Sequence, residues 1–389
     1  MTFLRPIFSI ISLLILAAAI YLLWSWHQGE LMRRPDGTVE LHRDDWRLWC
    51  GGILTLWSLL GRFLYLLLLA KPDPAPVVWK NGVGIVVEGA NGERLNVQEF
   101  GPPDAPLILL THGWSLDHTV WQYAVQDLSR DFRVVTWDLP GLGKSTATEI
   151  SLSAFAADLK ILLDRHQRPV LLVGHSIGGM TIQTLLRNDP TVQQKGVAGI
   201  VLVNTTYTNP LKTIVLGPLF RALRWPLIEP MLWLQIALKP ITWLMSWQSY
   251  LSGSAHLTAR LGFGRYVTRS QLDHTAWLMT VNSPSVQARG DLAMFRWDAT
   301  AALPRISVPA LVLGGEMDIV TLPEASNTIA QYIPRAQLQL FSGANHMGFI
   351  ERAVDYNALI RVFAEKVLSP PKAVEPTSFE TTATITPLG

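Results

Sequence analysis

Cysteine and charged residues are both scarce in this sequence of 389 residues. The one cysteine, Cys50, excludes an internal disulfide and a zinc site built from several cysteines. Charged residues make up only 16% of the chain, against roughly 25% in a typical soluble domain, so part of the chain is expected to contact lipid. The net charge of +2 gives no support for nucleic-acid binding.

Two long apolar runs lie near the N-terminus. Residues 6–26 carry no charge, and residues 48–70 are interrupted only by Arg62. Each run is about as long as the hydrocarbon core of a bilayer requires. We therefore predict a membrane anchor and linker over residues 1–77, with two transmembrane or membrane-associated helices.

Each run has an alternative interpretation. For the first it is a cleaved signal peptide, because Ala17–Ala19 supplies small residues. The apolar run continues past these alanines, which favours an uncleaved anchor. For the second it is a helix lying at the membrane interface, because Arg62 is costly in the middle of a bilayer unless it is paired.

The orientation of this anchor is predicted from the arginines between the two runs, which are Arg33, Arg34, Arg43 and Arg47. Cytoplasmic connections carry an excess of Lys and Arg. The excess over the outer flanks is small. It leans toward a cytoplasmic connection, and so toward an integral membrane protein whose domain after residue 77 is extracytoplasmic.

From residue 78 onward, short apolar runs alternate with helical patterns. The predicted strands are 83–87, 95–100, 107–110, 134–137, 170–173, 200–203, 310–313 and 338–341. The predicted helices lie near 117–130, 152–166, 177–187 and 350–367, with Ser151 as the N-cap of the second. This alternation predicts an α/β domain over 78–368 with a mostly parallel sheet.

Two segments depart from the alternation. Residues 209–304 are helical in pattern and rich in tryptophan, and they lie between two predicted strands, so they form an insertion. Residues 369–389 are rich in Pro and Thr and are predicted to be disordered.

The sequence Gly-His-Ser-Ile-Gly, residues 174–178, follows a predicted strand and opens a predicted helix. A G-x-S-x-G motif in that context is typical of a sharp turn that exposes a nucleophilic serine. The helix N-terminus beside the turn favours negative charge. We predict that Ser176 is a nucleophile.

A serine nucleophile needs a base, and the base needs an acid that orients it. Asp318 ends one late strand, and His346 follows the last strand. The order Ser176, Asp318, His346 fits the chain order of such a triad on an α/β sheet. The rival acid Glu316 lies two residues earlier and is expected to point elsewhere, and Asn204 has no carboxylate.

The remaining histidines are interpreted as structural. His175 adjoins the nucleophile and is expected to pack the turn, while His112 is expected to brace its loop. His118, His256 and His274 are expected to lie on the surface or in the insertion.

An oxyanion intermediate needs two preorganised donors. One is predicted to be the backbone N–H of Ile177, directly after the nucleophile. The other is predicted to be the N–H of Trp114, in the His-Gly-Trp loop after a buried strand.

Residues 141–145, Gly-Leu-Gly-Lys-Ser, imitate the end of a phosphate-binding loop. Such a loop requires glycine at position 138, where this chain has Asp138. Nucleotide binding is not expected, and the sequence implies no metal and no organic cofactor.

Together these motifs resemble the α/β-hydrolase superfamily across roughly residues 80–368. The matching segments are 111–114, 138–145, 174–179, 315–318 and 345–348. The resemblance implies an α/β-hydrolase fold: an eight-stranded, mostly parallel sheet with a helical lid, here about 209–304, inserted after the sixth strand. Epoxide hydrolases and haloalkane dehalogenases of the superfamily carry Asp at the elbow, so Ser176 argues against both.

The predicted function is a membrane-anchored serine hydrolase that cleaves carboxylic esters, lipidic or otherwise apolar, with membrane lipid as a further partner. One alternative is another serine-dependent reaction: thioester, amide or carbon–carbon hydrolysis, or perhydrolase-like activity. The other is a catalytically silent membrane scaffold, which the joint presence of serine, acid and histidine disfavours. The tryptophans and leucines of the insertion 209–304 are expected to pack onto the core, to line an acyl tunnel or to dip into the bilayer.

Overall fold

The computed structural model describes residues 5–74 and 82–368. The predicted start of the α/β domain near residue 78 and the predicted disordered tail 369–389 lie outside these residues. The centre of the molecule is an eight-stranded sheet with the order β10-β9-β8-β7-β5-β6-β4-β3. Its strands are β3 (Val83–Glu88), β4 (Arg94–Phe100), β5 (Leu107–Thr111), β6 (Arg133–Trp137), β7 (Val170–His175), β8 (Val197–Val203), β9 (Ala310–Gly315) and β10 (Ala336–Phe341).

The sheet is mostly parallel, as predicted. β3 pairs antiparallel with β4, and β4 pairs antiparallel with β6, while the remaining pairs are parallel. Each run predicted as a strand from residue 83 onward is a strand in the structure. The predicted fold class is confirmed.

Alternate residues of the central strands pack on opposite faces of the sheet. Leu109 and Leu172 belong to one buried cluster, and Ile108 and Leu171 belong to the other. Strands buried on both faces are continuously apolar because helices cover both sides. The covering helices are α3 (Gln122–Leu128), α4 (Leu152–Asp164), α5 (Ile177–Asn188), α6 (Val192–Lys195), α14 (Pro323–Tyr332), α15 (Gly348–Glu351) and α16 (Ala353–Leu368), with 3₁₀ turns at His118–Trp121 and Thr300–Arg305.

The N-terminal part is a pair of helices joined by a two-stranded ribbon. The helices are α1 (Arg5–Gln28) and α2 (Asp45–Leu69), and the ribbon pairs β1 (Glu30–Arg33) with β2 (Val39–His42). Both helices are long and apolar enough to cross a membrane by length and composition. They contain the two predicted apolar runs, and the ribbon lies in the charged segment between them.

Residues 209–304 form a helical insertion between β8 and β9. Its helices are α7 (Pro210–Thr213), α8 (Gly217–Leu223), α9 (Glu229–Ala237), α10 (Lys239–Ser252), α11 (Ser254–Arg260), α12 (Arg269–Val281) and α13 (Pro284–Met294), with one π-helical turn at Arg224–Ile228. Packing onto the core accounts for Trp297, which is buried. It does not account for Trp225, Trp233 and Trp243, each at least half exposed.

The sequence did not predict that α1 and α2 pack against this insertion. The Arg5 guanidinium is buried and donates to Met279 O and to the hydroxyls of Ser246 and Thr280. Ser12 Oγ donates to Ser252 Oγ at 2.6 Å. The first turns of α1 are therefore tied to α10 and α12.

Arg62 on α2 faces the insertion. Its guanidinium carbon lies 4.9 Å from the centroid of the Tyr250 ring, and the Tyr250 hydroxyl donates to Asp273 at 2.9 Å. A cation over an aromatic ring is stabilised electrostatically. This contact provides the pairing that an arginine in an apolar helix requires.

Candidate active site

Ser176 occupies a strained corner between β7 and α5. Its φ of 53° and ψ of −117° lie in a region that non-glycine residues rarely adopt. The corner also requires glycine at position 178, two residues after Ser176. A Cβ on Gly178 would lie 2.3 Å from Thr111 O. Backbone strain of this kind persists where the surrounding structure imposes it, and it is concentrated at functional sites.

Asp318 and His346 lie in contact beyond the ends of β9 and β10. His346 Nδ1 is 3.0 Å from Asp318 Oδ2, and both side chains are buried. An ionised Asp318 accepts the Nδ1 proton, which leaves Nε2 of a neutral His346 free to act as a base. Glu316, the rival acid, is exposed.

Four further donors hold the Asp318 carboxylate. Oδ1 accepts from the backbone N–H groups of Val320 and Thr321, both at 2.8 Å. Oδ2 accepts from Asn204 Nδ2 at 2.9 Å and from the Thr321 hydroxyl at 2.8 Å. Burial alone would raise the pKa of Asp318, but His346 and these donors outweigh it and hold the pKa below its usual value.

Ser176 and His346 line one cavity of about 120 Å³. Most of its other walls are apolar, among them Met180, Ile214 and Phe295. A site with such walls excludes water and strengthens the few polar interactions made inside it.

The two residues predicted to supply oxyanion donors, Trp114 and Ile177, lie at the cavity wall and directly after Ser176, respectively. Trp114 lines the cavity, and its indole is fixed by donation from Nε1 to Gln287 O at 3.0 Å. Ile177 opens α5 directly after Ser176. Among the residues that the structure describes, neither the Trp114 N–H nor the Ile177 N–H has a protein acceptor.

His175 and His112 brace the loops around Ser176. His175 Nε2 donates to His346 O at 3.1 Å, and its ring packs 4.3 Å from that of Phe349. Burial lowers the pKa of His175 well below its usual value, so the ring is neutral. His112 Nε2 accepts from Leu139 N at 2.9 Å, while its Nδ1 lies 2.8 Å from Gly113 O. Both agree with the structural interpretation from sequence.

One cluster, Asp117, His118 and Asp138, has the side-chain types and spacing of a metal site. Its ligand atoms are already used, because Asp138 accepts from His118 Nδ1 at 2.7 Å and from Asn96 and the Lys144 N–H. Burial would raise the pKa of Asp138, but His118 lowers it to about 2. The contacts therefore describe a structural ion pair that fixes the loop after β6.

His256 and His274 lie in the insertion, as expected. His256 Nε2 is 2.8 Å from Asp273 Oδ1, and His274 Nε2 is 2.9 Å from the Thr119 hydroxyl. His118 departs from the expectation, because it lies in the 3₁₀ turn after β5, outside the insertion, and its side chain is mostly buried against Asp138. None of these three histidines lines the cavity that contains Ser176.

The residues that position Asp318 and His346 were not predicted from the sequence. Asn204 was weighed only as a rival acid, and no role was assigned to Thr321 or Asn345. Asn345 Oδ1 accepts from the His346 N–H at 2.8 Å and from the Ile319 N–H at 3.1 Å, which ties the two loops together. Asn204 could have been found from its place at the end of the strand next to β9.

Known proteins are similar to this chain over its α/β part. A model of the alpha/beta hydrolase family matches residues 108–359. The pimeloyl-[acyl-carrier protein] methyl ester esterase of Sodalis glossinidius (strain morsitans) is 29% identical over 276 residues, 67% of this chain and 93% of that protein. The protein of the same name from Vibrio atlanticus (strain LGP32) is 26% identical over 271 residues, 67% of this chain and 95% of that protein.

Solved structures show the same fold. An esterase from Exiguobacterium antarcticum has a TM-score of 0.60 at 18% identity, covering 73% of this chain and 100% of that one. A thermophilic esterase from Thermogutta terrifontis has a TM-score of 0.58 at 22% identity, covering 74% of this chain and 99% of that one. The relatives support the class of enzyme predicted from the sequence, one that hydrolyses esters.

Proposed function

This chain belongs to the alpha/beta hydrolase family, and on that premise we propose that it is a membrane-anchored serine esterase for carboxylic esters with apolar acyl groups. The observation that carries the proposal is the pairing of His346 with Asp318 at 3.0 Å beside the cavity that Ser176 lines. Relatives named as esterases support the ester as the bond that is cleaved.

In the acylation step, Ser176 Oγ attacks the ester carbonyl carbon while His346 Nε2 takes the hydroxyl proton. The negative charge that develops on the carbonyl oxygen is held by the N–H groups of Trp114 and Ile177. His346 then gives its proton to the departing alkoxide, and an acyl-enzyme remains on Ser176. In deacylation His346 takes a proton from water, which attacks the acyl carbonyl. As the acid leaves, His346 returns that proton to Ser176 Oγ and the free serine is restored.

Asp318 acts on His346 and remains ionised throughout. Its low pKa keeps the carboxylate charged at neutral pH, so it holds the Nδ1 proton and stabilises the imidazolium formed in each step. The fixed N–H donors contribute because they need no reorganisation as charge develops, and one such donor typically accounts for about 10²–10³ in rate.

The membrane anchor is supported by two observations beyond helix length. Large apolar side chains along α1 and α2 are exposed, including Leu14, Trp24 and Leu56. The insertion beside these helices exposes Trp225, Trp233 and several leucines. An exposed apolar surface of this extent is typical of contact with a membrane or a partner. The exposed surface of the insertion lies beside that of α1, which favours contact with the bilayer over contact with a partner.

Ester turnover tests the catalytic part of the proposal. The full chain in lipid nanodiscs is assayed with p-nitrophenyl butyrate as wild type, Ser176→Ala and Ser342→Ala, the last removing an exposed hydroxyl. We expect Ser176→Ala to lower kcat/KM by roughly 10⁴–10⁶ and Ser342→Ala to leave it within about twofold. Equal turnover by wild type and Ser176→Ala, or none by either, would refute the esterase.

Thiol labelling tests the membrane part. In a Cys50→Ser background, a cysteine replaces Thr38 in the β1–β2 ribbon or Asn91 in the β3–β4 turn. An integral anchor with a cytoplasmic ribbon predicts that an impermeant maleimide labels only the cysteine at position 91 on intact cells. Release of the chain by alkaline carbonate would contradict integral anchoring, and labelling of position 38 alone would reverse the orientation.

A further inference from the structure

A second cavity of about 160 Å³ lies where the first turns of α1 meet α9, α10 and α13. Its walls include Ile10 from α1, Leu234 and Leu238 around the end of α9, and Met245 from α10. Ile10, Leu234 and Leu238 are exposed large apolar side chains. The mouth of this cavity is therefore apolar and opens beside a helix that is long enough to cross a bilayer.

This second cavity adjoins the one that contains Ser176. The buried side chain of Asp291 on α13 lines both of them. Gln287 and Ala288, before Asp291 on α13, line the second cavity, whereas Met294 at the end of α13 and the following Phe295 line the first. The C-terminal half of α13 thus runs along the boundary between the two spaces.

The volumes set a limit on what the first cavity holds alone. An apolar cavity of about 150 Å³ holds one benzene molecule, so a cavity of about 120 Å³ takes an acyl group of no more than about six carbons. A longer chain must extend out of it. The second cavity offers space of similar size with mostly apolar walls, on the side that faces α1.

We propose that the cavity between α1 and α9, α10 and α13 is the distal acyl subsite, so that the N-terminal helix forms a wall of the substrate site and the substrates are esters of acyl chains longer than about six carbons. The proposal rests on the esterase function above. It gives α1 a role in substrate binding as well as in anchoring. Its contacts through Arg5 with the insertion hold that wall in place.

A matched pair of substitutions on α10 tests this subsite. Met245 lines the second cavity, whereas its neighbour Leu244 is exposed and lines neither. Met245→Trp fills the subsite with a larger side chain, and Leu244→Trp places the same residue outside it. Each variant is assayed in nanodiscs against p-nitrophenyl butyrate and p-nitrophenyl dodecanoate, with its melting temperature recorded.

We expect Met245→Trp to lower kcat/KM for the dodecanoate by at least about tenfold and to leave the butyrate within about twofold. Leu244→Trp should leave the ratio of the two substrates unchanged. An unchanged ratio in Met245→Trp, or an equal loss on both substrates, would overturn the subsite. A second filling variant, Leu238→Trp, gives the same comparison if Met245→Trp fails to fold.

Different outcomes refute the proposed esterase function and the proposed subsite. Absence of Ser176-dependent turnover of the butyrate by the wild type refutes the esterase. Turnover of the butyrate that depends on Ser176, together with a chain-length profile that filling does not alter, refutes the subsite alone.

Discussion

The side-chain amide of Asn204, at the end of β8, donates a hydrogen bond of 2.9 Å to the Asp318 carboxylate beyond the end of β9. The Tyr356 hydroxyl donates in turn to Asn204 Oδ1 at 3.2 Å. The orientation of the amide is thereby fixed, with its N–H toward Asp318. A neighbouring strand thus supplies a donor that favours the ionised acid, and Asn204 is a positioning residue for His346 through Asp318.

Replacing Asn204 by aspartate tests this role. Two carboxylates in contact cannot both ionise readily, so Asn204→Asp should raise the pKa of Asp318. We expect the acid limb of the kcat/KM–pH profile to move upward by about one unit or more and activity at neutral pH to fall about tenfold. The control, Asn188→Asp, makes the same change of charge on an exposed residue. An unmoved acid limb in Asn204→Asp would refute the positioning role.

Asp318 and Glu316 form a natural matched pair, since one is buried against His346 and the other is exposed two residues away. Asp318→Asn should lower kcat by about 10⁴, because an amide can stabilise the wrong tautomer of the imidazole. Glu316→Gln should stay within about twofold. Steady-state kinetics on a short-chain ester measure both, and a comparable loss in the two variants would remove Asp318 from the proposed triad.

Close packing of α2 on the insertion depends on Gly61. A Cβ at this position would lie 2.4 Å from Ser252 O, whereas a Cβ on Gly52 of the same helix meets nothing within 4 Å. Gly61→Leu should therefore separate α2 from α10 and destabilise the protein by about 1–3 kcal/mol. Gly52→Leu should be neutral or slightly stabilising, because glycine is a poor helix former. Thermal unfolding in one detergent compares them, and equal melting temperatures would argue against this packing.

Two neighbouring carboxyls, Asp158 on α4 and Glu93 just before β4, are expected to make stability depend on pH. Burial, together with the neighbouring Glu93 carboxyl, raises the pKa of Asp158 to about 8. Between its ordinary value of 3.8 and about 8, the folded protein holds a proton that the unfolded chain has lost. The free energy of unfolding must therefore fall as pH rises through this window.

Asp158→Asn should remove that dependence, because the amide donates to Glu93 without needing a proton. Relative to wild type, the variant should gain roughly 1 kcal/mol per pH unit between about pH 5 and pH 8. Denaturant unfolding at both pH values measures this, with Asp164→Asn on the exposed end of α4 as the control. If the free energy of unfolding changed with pH in the same way in wild type and Asp158→Asn, Asp158 would not be the group that titrates.

The sequence by itself determined the sheet and the corner that carries Ser176. Apolar runs of strand length mark the central strands β5 to β9, because a strand covered on both faces must be apolar at nearly every position. Gly178 marks the turn, because a Cβ there would collide with Thr111 O. The order Ser176, Asp318, His346 followed from the same reasoning, since acid and base must come from loops at the carboxyl edge of the sheet.

Only the tertiary structure decided what surrounds these residues. Neither the hydrogen bond from Asn204 to Asp318 nor the packing of α1 and α2 on the insertion could be predicted, because both join segments far apart in the chain and involve common residue types. The exposure of Trp225 and Trp233 was equally undetermined, since core packing and bilayer contact use the same side chains. Composition indicates that such residues avoid water, and the arrangement of neighbouring helices decides whether protein or lipid replaces it.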